Sequence, residues 1–233
     1  MADEPLITAD IYIYIPKDQL INWDELNRFK EAFINSEIKL GFEDAYSIVD
    51  GKNYGYKCFW SYPATTFYEV RGLIALGVHE ILLDAPLFFN LEKVKALCEN
   101  IVELRIVANK CFNNYMPRET GVCGTYVRPE DVETYSQYID HIEFITDSLK
   151  KELTLIDIYK NKKKWPGNLN LLLTNLKVNV DNRGFDEDFA KRRMNCGQVC
   201  QIDNRCHYCP SQFLLINTID KNKDSLNETY KLN

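Results

Sequence analysis

Residues 9–16, ADIYIYIP, set isoleucines at positions 11, 13 and 15 against tyrosines at 12 and 14. Both sets are large and apolar-bodied, so this period of two predicts a strand covered on both faces. The period then lengthens. Leu26, Phe29 and Phe33 recur behind Asn22, with Glu25 three places on, which predicts a capped helix over roughly residues 23–35. Residues 38–61 read as strand material broken by the turn Asp50-Gly51-Lys52-Asn53, so that YKCFW is the second arm of a hairpin or a separate strand.

From Thr66 the pattern repeats. Thr66 with Glu69 makes a capping box for a helix whose apolar face holds Phe67, Val70 and Ile74, and Gly77 ends it before the strand VHEILLDA. Asn90 opens a second helix with Leu91, Val94, Leu97 and Cys98 inward, followed by the strand VELRIVAN. A short strand, GTYV, leads to Pro129 in the first turn of a third helix, where Glu130 and Asp131 oppose the helix dipole. Val132, Tyr135 and Ile139 face inward, and the strand HIEFI follows. Successive helix–strand units require parallel strands with helical crossovers. The expected fold is therefore α/β, with about six or seven strands forming a (β/α) barrel-like or partial barrel core in preference to an open doubly wound sheet. No glycine-rich phosphate loop follows any strand, which argues against nucleotide binding.

The character changes near residue 148. We read residues 1–147 as the α/β core and 148–233 as a helical C-terminal extension with a cysteine-rich segment, both within one domain. A polar helix over 148–164 ends in the run Lys160–Lys164 before Pro166-Gly167. Leucines follow at 169, 171, 172, 173 and 176. A short helix from about Asp186 carries Lys191, Arg192 and Arg193, and residues 212–219 are a final apolar segment.

The formal net charge of −6 excludes a global attraction to nucleic acid or anionic membranes. A local contact with a phosphate backbone through Lys160–Lys164, beside Trp165, and through Arg192–Arg193 stays open, against the plainer reading of a solvated helix end. The start MADEPLITAD is acidic and lacks a long apolar run, and no stretch approaches the roughly 18 apolar residues of a span. The expectation is a cytoplasmic protein with no membrane partner.

Eight cysteines are many for such a chain, and four fall within residues 196–209. Loops that short make poor disulfide staples, because closing them removes little entropy from the unfolded chain. The spacing Cys196-x3-Cys200-x5-Cys206-x2-Cys209 predicts one metal centre instead. Four thiolates satisfy tetrahedral Zn²⁺ or the corners of a [4Fe–4S] cluster, and the residues leave the two unresolved. A zinc ion with four protein ligands would be structural. Candidate substrate contacts come from barrel logic, which puts active sites at the C-terminal ends of strands. Those ends carry Asp84 after EILL, Asn109 after RIVA and Arg128 after GTYV, with Lys110, Cys111, Cys123 and Asp147 nearby. The alternative for each is a helix cap or surface charge. Glu143 lies within its strand, where it can point into the barrel. His79 and His141 start their strands, at the opposite end, and read as structural.

Successive αβ units over residues 56–146 together with the four-cysteine cluster resemble the U32 peptidase-like family. That resemblance implies a barrel-type protein with an Fe–S cluster, acting in hydroxylation of RNA or of quinone precursors. The cysteines of this chain are more compact than the family's, and no catalytic residue carries over. The residues thus lead to a metal-containing enzyme, or one derived from an enzyme, acting on nucleic acid or a small polar or aromatic substrate. The alternatives are a zinc-stabilised interaction module and a nucleic-acid-binding accessory protein.

Overall fold

A computed structural model describes residues 10–109, 125–162 and 186–196. The chain begins with strand β1 (Ile11–Ile15), helix α1 (Trp23–Ala32), β2 (Ile38–Phe42), α2 (Ala45–Asn53) and β3 (Lys57–Trp60). It continues through α3 (Phe67–Leu76), β4 (Glu80–Leu83), the short α4 (Ala85–Phe88), α5 (Leu91–Cys98) and β5 (Glu103–Val107). A 3-10 turn (Pro129–Asp131) runs into α6 (Val132–Tyr135), then β6 (His141–Glu143), α7 (Leu149–Lys160) and α8 (Phe189–Met194).

The six strands form one sheet in the order β1-β2-β3-β4-β5-β6, every neighbouring pair parallel. Strand order decides where helices go. Right-handed crossovers that always step the same way put all helices on one face, whereas a doubly wound sheet reverses its order and covers both. The sheet is curled into a half-barrel, as its interior contacts require. Tyr12 on β1 donates its hydroxyl to the Glu80 carboxylate on β4 at 3.2 Å, although three strand spacings in a flat sheet amount to roughly 14 Å.

The convex face is apolar. Ile38, Leu40 and Phe42 alternate with Lys39 and Gly41 on β2, and Ile81, Leu83, Leu104 and Ile106 extend the same surface into the helices. One core cluster joins these residues to Leu155, Ile158 and Tyr159 of α7 and to Phe189, Ala190 and Met194 of α8. Each fully buried leucine, isoleucine, phenylalanine or methionine among them contributes about 1.5–3 kcal/mol.

Several local expectations match. Asn22 caps α1 through Glu25 N–H, Thr66 and Glu69 form the capping box of α3, and Gly77 ends that helix at φ 69°. Three expectations need correction. Residues 50–53 are not a turn: they belong to α2, capped by Asp44, whose carboxylate accepts from Ser47 N–H at 2.8 Å. Gly51 serves close packing there, since a Cβ would stand 2.9 Å from Cys58 Sγ and from the Phe42 ring. β2 and β3 are consequently a parallel pair joined by a helix, not a hairpin. Residues 125–128 are likewise no strand; they lie buried over the end of β5, with Val127 N–H donating to Ala108 at 3.1 Å. The tyrosine face of β1 also differs from expectation. It lines an open groove, and Tyr14 is 53% exposed.

Candidate functional site on the concave face

A barrel interior filled for stability carries branched apolar side chains. Here the concave positions of β2, β4 and β5 are Lys39, Glu80 and Arg105, with side chains 3%, 0% and 1% exposed. Lys39 forms an ion pair with Glu80, reaches Asp10 at 2.9 Å, and donates to the Tyr12 hydroxyl at 3.2 Å. Arg105 Nη1 lies 3.2 Å from Glu80 and 3.1 Å from Glu143 on β6. Its guanidinium sits over the rings of Phe59 and Tyr12, 4.6 and 5.1 Å from their centroids. Gly41 makes room for this layer, because a Cβ would fall 2.5 Å from the Phe59 ring.

Burial alone would discharge these groups. It lowers the Lys39 pKa, but hydrogen bonds to Glu80, Asp10 and Tyr12 more than offset it and the ammonium is held above its ordinary value. Burial acts on Arg105 in the same way and is outweighed by the charges of Glu143 and Glu80. Glu143 is different. Burial pushes its carboxyl up, and Arg105 opposes the shift only in part. A carboxyl held above its ordinary range beside a guanidinium is suited to proton transfer.

The face opens through a groove of about 580 Å³ between the edge strands β1 and β6, lined by Asp10, Tyr12, Tyr14, His141 and Glu143, with Glu152 of α7 at its rim. Carboxylates and phenol rings there suit a small ligand with hydrogen-bond donors or an aromatic ring, and they repel phosphate.

At the N-terminal end of the strands, His141 Nε2 is hydrogen-bonded to Glu103 Oε2 at 2.8 Å and His79 Nε2 stands 3.5 Å from the same oxygen. Donor atoms of His79, Glu80 and Glu103 lie within 4.8 Å of one another, a spacing that can hold a metal ion. Burial pushes the His79 pKa down. It pushes Glu103 up, but the His141 hydrogen bond and the charges of His79 and Lys39 hold that carboxyl below its usual value.

The residues expected to contact substrate sit at the other end. Asp84 follows β4, is buried, and its backbone carbonyl accepts from Leu87 and Phe88 N–H to start α4. Asn109 follows β5 and clasps Ile145, donating to its carbonyl at 2.6 Å and accepting from its N–H at 2.9 Å. Arg128 is buried and grips the Asp131 carboxylate through Nε and Nη2, the latter at 2.7 Å, with Phe189 beneath its guanidinium. Asp147 is exposed and paired with Lys151 at 2.9 Å. Of the four cysteines expected to bind a metal, Cys196 lies just beyond the Asn195 cap of α8 and packs against the core, while Cys200, Cys206 and Cys209 lie outside the described residues. Lys163 and Lys164 of the basic run, together with Cys111 and Cys123, also lie outside them. Arg192 faces solvent, but Arg193 is buried and donates to the Tyr126 carbonyl at 2.7 Å.

The concave-face residues other than Glu143 escaped sequence reasoning. The signal was their alternation: Lys39, Glu80, Arg105 and Glu143 each occupy one parity of a strand whose other parity is apolar. Among the described residues, no helix is long and apolar enough to cross a membrane. No family model, curated protein or solved structure matches the chain.

Proposed function

We propose that this protein is a metal-containing enzyme built on an incomplete (β/α) barrel, which binds a small polar or aromatic substrate against its concave face. The observation that carries the reading is the buried Lys39–Glu80–Arg105 network, which reaches the half-buried Glu143. Buried ion pairs return less stability than apolar packing of the same volume, so three such side chains in a barrel interior point to binding or proton transfer. Glu143 is the candidate acid–base group, with Tyr14 positioned to meet an aromatic ring. The groove's carboxylates and the net charge favour a small substrate over nucleic acid.

Cys196, Cys200, Cys206 and Cys209 supply the metal centre in this proposal, as Zn²⁺ or a [4Fe–4S] cluster. Support comes from the docking of α8, which seats Arg193 among Phe88, Phe89 and Phe189 near the C-terminal ends of the strands. The U32 peptidase-like resemblance agrees with an Fe–S enzyme. A second reading, a zinc-stabilised interaction module, draws on Leu149, Leu153 and Ile156, which form an exposed apolar stripe along α7.

Metal analysis and an absorption spectrum of protein purified without oxygen test the metal. About four irons per chain with a broad band near 400 nm support the Fe–S form, one colourless zinc supports the structural form, and no metal rejects both. A ligand-observed NMR screen of small aromatic amines and phenols tests the groove. Hits that vanish in Tyr14→Ala and Glu143→Gln support it, and hits indifferent to both variants overturn it.

A further inference from the structure

We infer that His79, His141 and Glu103 form a transition-metal site at the N-terminal end of β4, β5 and β6, separate from the cysteine cluster and not dependent on it. Two of the chain's three histidines converge on one carboxylate oxygen, from the starts of strands that follow different helices. Imidazole with carboxylate is the donor set of the zinc, cobalt and nickel class, not of magnesium or calcium.

Glu103 is the shared ligand in this arrangement. Metal–donor bonds of about 2.1 Å place donor atoms up to about 4.2 Å apart, and each imidazole lies within that reach of the Glu103 oxygen, at 2.8 and 3.5 Å; rotation of the side chains would bring the two rings onto one ion. His79 Nε2 is buried and has no hydrogen-bond partner. A ring nitrogen left unsatisfied costs stability unless something binds it. Glu103 and His141 are each 37% exposed, which leaves their side chains room to rotate around an ion and an entry path from solvent.

Charge points the same way. Lys39 and Arg105 face four carboxylates, Asp10, Glu80, Glu103 and Glu143, in one connected layer. Four acidic groups against two basic ones leave the layer with a surplus of the sign that a divalent cation offsets. Lys39 stands 3.7 Å from Glu103, farther than from Asp10 and from Glu80, the partners that hold its ammonium. Glu80, held by Lys39 and Arg105, orients the layer behind the ligands without needing to bind the ion itself.

Histidine-ring ¹H–¹⁵N spectra of the whole chain, recorded while Co²⁺ is added to protein as purified, test the site. Single His→Gln variants assign the signals. We expect the His79 and His141 resonances to broaden together by one added equivalent, without growth of a thiolate-to-cobalt charge-transfer band. The His79→Gln/His141→Gln double variant should bind the added ion at least tenfold more weakly. Ring signals of the unaltered protein that stay sharp at ten equivalents overturn the inference. So does a growing thiolate band with both rings unaffected, an outcome that leaves the four-cysteine reading standing.

Discussion

Lys39 on β2 and Glu80 on β4 form an ion pair that passes over the intervening strand, with both side chains almost wholly removed from solvent. The curl of the sheet brings them together, and Gly41 gives room to the Phe59 ring on the same face. Removing one partner strands a buried charge, which costs about 3–5 kcal/mol. Lys39→Met and Glu80→Gln should each lower stability by that order in urea unfolding. The Lys39→Met/Glu80→Gln pair should cost less than the two single losses added, because the groups are directly coupled. Additive losses would mean that the two side chains do not interact.

Asn109 acts as a clasp between the ends of β5 and β6, through two hydrogen bonds to the backbone of Ile145. Asn109→Ala loses both, at about 1–3 kcal/mol for the pair. Asn109→Asp keeps the acceptor but sets a carboxylate against the Ile145 carbonyl, so it should destabilise at least as much at pH 7. Thermal unfolding of the two variants checks this. An unchanged midpoint for the aspartate variant would remove the clasp from the account.

Acid should weaken the fold through two groups at the N-terminal end of the strands. His79 has a lowered pKa in the folded chain, so below about pH 6.5 the unfolded chain takes up a proton that the native one resists, and stability falls as pH falls. Glu103, also lowered when folded, contributes stability above the ordinary carboxylate pKa and loses it as pH drops through its folded value. Glu143, raised when folded, has the opposite sign: its contribution is present at low pH and lost as pH rises through its folded value. Unfolding measured from pH 7 to 5 should show declining stability, with a shallower decline in His79→Gln. Equal slopes for the two proteins would assign the acid sensitivity elsewhere.

Cys58 and Cys98 are poor ligands and poor nucleophiles in the folded chain. Burial pushes the first thiol up to about 12 and the second to about 11, and the thiolate is the reactive form. Brief iodoacetamide treatment of native protein at pH 7.5, followed by peptide mass spectrometry, should leave both unmodified, while urea exposes them. Labelling of either at its unfolded rate would show that α2 or α5 opens readily.

Parallel αβ units, the caps at Asn22 and Thr66 and the close of α3 at Gly77 were readable because each depends on residues within a few positions. Gly51 misled for a physical reason: glycine serves both turns and close packing, and only the positions of Phe42 and Cys58 separate the two uses. Asp84 and Asn109 follow strands β4 and β5, whereas Arg128 follows no strand and caps the 3-10 turn at Pro129–Asp131; the partners of Asn109 and Arg128, Ile145 and Asp131, depend on how the chain returns after β5. His79 and His141 were placed at strand starts, and nothing local indicates that both would face Glu103.

Local pattern therefore dictates that this chain makes parallel strands joined by helices, since periodicity, capping and turn chemistry act over short stretches. Assembly decides that the sheet keeps one sequential order and curls, which turns the side chains of its inner face toward one another. That curl turns alternating charged positions on β2, β4 and β5, tens of residues apart in sequence, into one buried network that reaches Glu143 on β6. Long-range electrostatic pairing has no short-range signature, so the polar interior and the histidine pair emerge only when the strands close on one another.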